Sequence, residues 1–123
     1  MKGLKRLAAI ALGVALLAAA PASAQGAAYK HYVACGLSKN AKPAHVCQKG
    51  RSKGAFFEST HADVFYTVCV KFPNTKSLCK PKQEAVLGTL YVNKITSNIP
   101  GKHKVTWFVN GKRVGAFTFV VSA

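Results

Sequence analysis

The chain has 123 residues, carries 18 Lys and Arg against three Asp and Glu for a formal net charge of +15 at pH 7, and is 50% hydrophobic. That length supports one small domain with a modest core. Three carboxylates leave few groups to serve as acids, bases or orienting partners, which weighs against hydrolytic chemistry.

The elements begin with a three-part export pattern. Lys2, Lys5 and Arg6 precede an uncharged run, Leu7 to Ala20, followed by Pro21 and the small triplet Ala22-Ser23-Ala24, which predicts a cleavable signal peptide over residues 1–24 and a domain over 25–123. The apolar run has 14 residues, whereas a spanning helix needs about 20, so no retained transmembrane segment is expected. Gln25 rather than a cysteine stands directly after the predicted cut, no Arg-Arg pair marks a twin-arginine route, and no hydrophobic tail precedes Ala123. Loss of Lys2, Lys5 and Arg6 lowers the formal charge from +15 to +12 and leaves Glu58, Asp63 and Glu84 as the carboxylates. The product is expected to be secreted: extracellular, wall-associated or periplasmic.

Beyond residue 24, apolar, β-branched and aromatic residues recur in short runs broken by Gly, Pro and Asn, and no helix is expected. Predicted strands are Tyr29 to Cys35, Gly54 to Ser59, Val64 to Phe72, Ser77 to Lys80, Val86 to Thr96, Lys104 to Val109 and Lys112 to Val121. Gly36 to Lys53 lacks periodicity and reads as a loop. Seven short strands in about 100 residues fit an all-β, antiparallel two-sheet sandwich.

Cys35, Cys47, Cys69 and Cys79 all lie in the exported part, an even number in an oxidising compartment, which favours two disulfides. Three connectivities exist, and strand parity ranks them. Val64, Tyr66, Val68, Val70 and Phe72 share one apolar face, so Cys69 points away from the main core. A hairpin centred on Asn74 sets Cys69 directly opposite Cys79, at a separation a disulfide accepts. The expected pairs are therefore Cys69 with Cys79 and, by remainder, Cys35 with Cys47.

In the last hairpin Asn110-Gly111, the preferred type I′ pair, separates two apolar runs. Strict two-residue pairing would send Phe117 and Phe119 to the face opposite Val105, Trp107 and Val109. One extra residue repairs this, so a β-bulge is expected at or near Gly115, whose missing side chain permits the needed backbone angles. Over Val86 to Ala123, and above all in Gly101-Lys-His-Lys-Val-Thr-Trp-Phe-Val-Asn-Gly-Lys-Arg-Val-Gly-Ala-Phe-Thr-Phe119, the chain resembles the closing hairpin of bacterial secreted immunoglobulin-like domains. The resemblance implies an immunoglobulin-like sandwich used for adhesion, spacing or ligand binding at the cell envelope. It carries no functional residues over. The outward-facing Cys69 and the lack of a Cys-Trp-Cys order depart from antibody-type domains, so an inter-sheet disulfide is not implied.

The search for chemistry is negative. His31, His45, His61 and His103 are scattered and the cysteine spacings are too wide for a zinc half-site, so no metal is expected. His45 lies near Cys47, but a cysteine committed to a disulfide is no nucleophile, and His45 reads as a solvated loop residue. Glu58 and Asp63 could flank one turn like a glycosidase dyad; Asp63 starting a strand and Glu58 offsetting lysines is the simpler reading. No nucleophile elbow, phosphate-binding loop or dinucleotide fingerprint occurs. A non-enzymatic protein without cofactor is expected.

Charge is the remaining clue. Lys39, Lys42, Lys49, Arg51 and Lys53 crowd the long loop, and Lys71, Lys76, Lys80 and Lys82 surround the Cys69 hairpin. Such a field attracts anionic envelope or extracellular polymers, among them teichoic acid, lipopolysaccharide, DNA and acidic polysaccharide, with strong salt dependence. The five loop residues are the candidate polymer-binding patch. Alternatively the lysines only keep a small exported domain soluble and blunt its sheet edges. Nucleic-acid specialisation is disfavoured because no aromatic is interleaved with the basic loop. Two other roles fit the same chain: a protein-binding module, such as an inhibitor or surface-complex subunit, using a sheet edge, and a secreted cationic antimicrobial or toxin.

Overall fold

A computed structural model describes residues 28–123; the expected signal peptide, 1–24, lies outside the described residues. Nine strands form: β1 (Tyr29–Ala34), β2 (Val46–Gln48), β3 (Lys53–Ser59), β4 (Val64–Lys71), β5 (Ser77–Cys79), β6 (Gln83–Ala85), β7 (Tyr91–Ile95), β8 (Gly101–Val109) and β9 (Lys112–Ser122). They make a six-stranded sheet in the order β2-β9-β8-β4-β5, with β6 also on β4, and a three-stranded sheet in the order β1-β3-β7. All pairs are antiparallel except β2 with β9.

Alternation decides which faces meet. Tyr66, Val68 and Val70 of β4, and Val105, Trp107 and Val109 of β8, point inward against Val33, Ala55 and Phe57 of the smaller sheet. Trp107 and Phe57 are fully buried, each removing aromatic area from water that dominates a core of this size. A polar triangle also joins the layers. Asn93 Nδ2 on β7 donates to the Tyr66 hydroxyl (2.8 Å), that hydroxyl donates to Gln83 Oε1 (3.3 Å), and Gln83 Nε2 donates to Asn93 Oδ1 (2.7 Å). Burial pushes the Tyr66 phenol pKa up, so the hydroxyl keeps its proton.

Both disulfides form as expected. Cys69 and Cys79 are register partners across β4 and β5. Cys35, just after β1, joins Cys47 of β2 with Cα atoms 5.5 Å apart. This second bridge does connect the two sheets, at their edges, because β2 belongs to the larger one.

The bulge is present: the β8–β9 register shifts between Arg113 and Gly115, so that Phe117 faces Val105 and Phe119 faces His103. Asn110 and Gly111 both have positive φ, as a type I′ turn requires. Gly115, however, does not adopt positive φ. A Cβ built there would lie 2.2 Å from His31 Nε2. The glycine is needed for space: the His31 ring of β1 occupies that slot, 5.2 Å from the Trp107 ring.

Three expectations are corrected. Gly36 to Lys53 is not loop throughout, since Val46–Gln48 pairs in parallel with Val120, Val121 and Ser122, and Lys53 opens β3. Val86 to Thr96 is not one strand: a turn at Gly88 (φ 81°) follows β6 and pairing resumes only at Tyr91. His45 is not merely solvated, for its ring stacks on Phe117 with centroids 4.2 Å apart and its Nδ1–H donates to Thr118 O at 2.7 Å.

Candidate functional site

The strand registers decide which charges share an end of the sandwich. β1 finishes where Ala34 faces Gly54, β7 where Ile95 faces Lys53, and β4 where Lys71 faces Lys104. Lys49 N–H donating to Ser122 O (2.9 Å) and Gly50 N–H donating to Asn98 Oδ1 (3.0 Å) draw the ends of the two sheets together. Lys39, Lys42, Lys49, Arg51, Lys53, Lys71, Lys76, Lys94, Lys102 and Lys104 all lie on strand termini or connections at this end. Glu58 lies next to the last residue of β3, Asp63 precedes β4, and Glu84 faces Phe65 near the start of β4, so all three Asp and Glu side chains lie at the other end. Lys71 and Lys104 are direct cross-strand partners, a like-charge pairing that costs stability.

Four of the five predicted patch residues, Lys39, Lys42, Lys49 and Arg51, are exposed at this end. Lys53 is the exception: it is only 2% exposed and is no surface contact. It takes the inward parity of β3 shared with Ala55 and Phe57, and its Nζ donates to Arg51 O (2.7 Å) and Asn98 Oδ1 (3.3 Å). Burial lowers the Lys53 pKa below the ordinary lysine value. Lys71, Lys94, Lys102 and Lys104, which the loop-centred reading left out, enlarge the patch.

Two concavities open here and share Thr96, Ser97 and Asn98. One, of about 240 Å³, is bounded by residues 50–53 and 94–98 and includes Arg51, Lys53 and Lys94. The other, of about 360 Å³, runs past Phe72, Leu78 and Ile99. Beneath them Ser97 and His103 are buried. The Nδ1–H of His103 donates to Gly101 O (3.0 Å), so Nε2 accepts from the Ser97 hydroxyl (2.8 Å), whose oxygen accepts from Ile99 N–H (3.4 Å). This is a satisfied neutral imidazole between Phe72 and Phe119. Sequence spacing gave no sign of it.

The remaining candidates are structural. Asp63 Oδ1 accepts from Leu87 N–H at 2.8 Å and fixes the turn after β6. All four cysteines are bridged. Among the described residues, no group of three His, Cys, Asp or Glu could hold a metal ion, and no helix is long and apolar enough to cross a membrane. Exposed Phe65 faces Glu84, with the Lys82 ammonium 5.5 Å from its ring, away from the cationic end.

Burial holds the pKa values of His31 and His103 below the ordinary histidine range, with the positive charge of Lys53 adding to the effect at His103. Both imidazoles therefore bind protons more readily in the unfolded chain. Stability is fully present above the unfolded value of about 6.5 and falls as pH drops toward the folded values. Thermal unfolding from pH 7.5 to 5 is expected to show a falling Tm, and NMR titration to place both midpoints below 6.5; midpoints at or above 6.5 would contradict this.

The chain matches no protein-family model and no curated protein. Among solved structures it is similar to an immunoglobulin-like protein from Pseudomonas aeruginosa, at 15% identity and a TM-score of 0.46, over 76% of this chain and 90% of that one. It is also similar to an alkylpurine DNA glycosylase from Pseudomonas fluorescens bound to DNA containing an abasic-site analogue, at 18% identity and a TM-score of 0.40, over 79% of this chain. The match spans 31% of the glycosylase chain. Neither likeness bears on what this chain binds.

Proposed function

We propose that the chain is an exported, non-enzymatic interaction module that binds anionic envelope or extracellular polymers through the cationic end of its sandwich. The observation that carries this reading is the separation of charge: ten Lys and Arg gather at one end, and all three Asp and Glu side chains lie at the other. A solubility device works equally well with charge spread evenly, and direct pairing of Lys71 with Lys104 is then an unneeded cost. Export is supported by the sequence pattern of residues 1–24 and by two disulfides, which persist in oxidising compartments.

Counter-ion release gives the test. The oxidised protein is expected to co-sediment with purified cell walls, teichoic acid or DNA at low salt, with affinity falling linearly in log-log form as salt rises. Changing Lys39, Lys42, Lys49 and Arg51 together to Glu is expected to abolish sedimentation, while Lys112→Glu with Arg113→Glu at the far hairpin leaves most of it. Lys53 is kept, because a buried Glu there would unfold the chain. Unchanged sedimentation of the fourfold variant would remove the patch as the site.

A second reading has one observation in its favour. Edge strand β5 is exposed throughout, and Leu78 (56% exposed) and Ile99 (40%) line the groove beside it. A protein partner adding a strand there would co-purify in a salt-resistant complex, and Leu78→Asp would release it.

A further inference from the structure

We propose that the cavity bounded by residues 50–53 and 94–98 is a seat for one oxyanion group, a phosphate, sulfate or carboxylate, held on the Lys53 ammonium between Arg51 and Lys94. The inference deepens the polymer-binding reading and rests on it for the source of the group, which is either a pendant group of the polymer or a free small anion.

The starting point is a cation without a counter-charge. Buried charges in proteins are paired as a rule, because an isolated ammonium taken out of water carries a large desolvation cost. Lys53 is 2% exposed, yet its two hydrogen-bond acceptors, Arg51 O and Asn98 Oδ1, are both neutral. An ammonium has three N–H donors. The Asp and Glu side chains of the described residues, Glu58, Asp63 and Glu84, stand at the opposite end of the sandwich. A Met or Leu in this position of β3, facing Ile95, would fill the same space without the electrostatic cost.

The surroundings are arranged as walls. Asn98 Oδ1 accepts from Gly50 N–H as well as from Lys53, so one side chain ties the turn before β3 to the segment after β7. Arg51 on that turn and Lys94 within β7 are exposed and bring two further cations to the same opening. An oxyanion entering there meets a hydrogen-bonded, buried ammonium and two exposed cations. Desolvation then strengthens the attraction beyond that of any exposed lysine. Burial lowers the Lys53 pKa, and an anion in the seat would raise it.

The experiment is an amide NMR titration of the oxidised protein with inorganic phosphate, sulfate and acetate at constant ionic strength in chloride. Saturable shifts are expected at Gly50, Lys94 and Asn98, with a Kd in the millimolar range. Lys53→Met is expected to weaken binding at least tenfold. Arg51→Gln with Lys94→Gln, which leaves the core untouched, is expected to weaken it about threefold to tenfold and keeps the test decisive if the Lys53 variant does not fold. Teichoic acid that displaces phosphate from these amides identifies a polymer group as the occupant; phosphate that saturates the seat while no polymer sediments identifies a free anion and ends the polymer reading alone. Sedimentation with polymer but no saturable shift for any oxyanion, or equal affinity in Lys53→Met, overturns the seat and leaves Lys53 as a clamp for the two segments.

Discussion

Replacing Cys35 and Cys47 together by Ala is expected to lower stability by about 3 kcal/mol, the chain-entropy value for a loop of roughly this length. In a domain of this size that is a Tm decrease of about 12–24 °C. The bridge spans 12 positions in sequence and joins the end of β1, in the three-stranded sheet, to β2, at the edge of the six-stranded one. Little else holds that crossing. β2 has three residues, and the segment before it is tied back by the Ala34–Pro43 bridge and by Ala44 N–H donating to Val33 O. The disulfide also anchors β2, which leads into the turn that carries Lys49 and Arg51, so polymer binding is expected to weaken with stability. Cys69→Ala with Cys79→Ala provides the comparison. That bridge spans 10 positions, but it staples β5, which is exposed throughout and can detach without opening the core. Its removal is expected to shift Tm less. Calorimetry of both variants that found the second shift equal or larger would show that the inter-sheet bridge has no special role.

Gly115→Ala is expected to cost about 2–3 kcal/mol, the upper part of the range for overpacking a well-filled core. The new Cβ would stand 2.2 Å from His31 Nε2 and 2.3 Å from Cε1, and the Trp107 ring packs against the same imidazole at 5.2 Å. Both His31 Nδ1 and Trp107 Nε1 are buried without a hydrogen-bond partner in the protein, so packing rather than hydrogen bonding holds the ring in its slot. Either the ring leaves its slot or β9 moves away from β1. The double-mutant cycle with His31→Ala separates this from a generic strand effect. Once the imidazole is gone, alanine at position 115 fills part of the space, and a coupling of about 1–2 kcal/mol in the favourable direction is expected. A cost below about 0.5 kcal/mol for Gly115→Ala alone, measured by urea denaturation, would mean that the ring is not wedged there.

Short-range patterns in the sequence carry much of this architecture. Period-two alternation around Tyr66, Val68 and Val70 gave the inward face of β4 and the outward direction of Cys69, and the five-residue symmetry about Asn74 gave its partner. Asn110-Gly111 gave the last turn, and the conflict of Phe117 and Phe119 with Trp107 gave the bulge. Each of these depends on residues within about ten positions of one another, where backbone geometry alone fixes the outcome.

Only the tertiary structure could decide the rest. Val46–Gln48 is too short to show alternation, and it becomes a strand because β9, more than 70 positions later, offers an unpaired edge. Gly115 had a sequence-level reason, backbone freedom, that proved to be the wrong one, since the side chain it makes room for comes from β1. The candidate site was legible as charge but not as place. A lysine run reads as a solvated loop, whereas pairing with β7 turns Lys53 inward and leaves its neighbours outside. The gathering of Lys71, Lys94, Lys102 and Lys104 beside that loop follows from the registers of both sheets at once. Composition sets how much charge a chain carries; long-range strand pairing sets where that charge is concentrated and whether any of it is withdrawn from water.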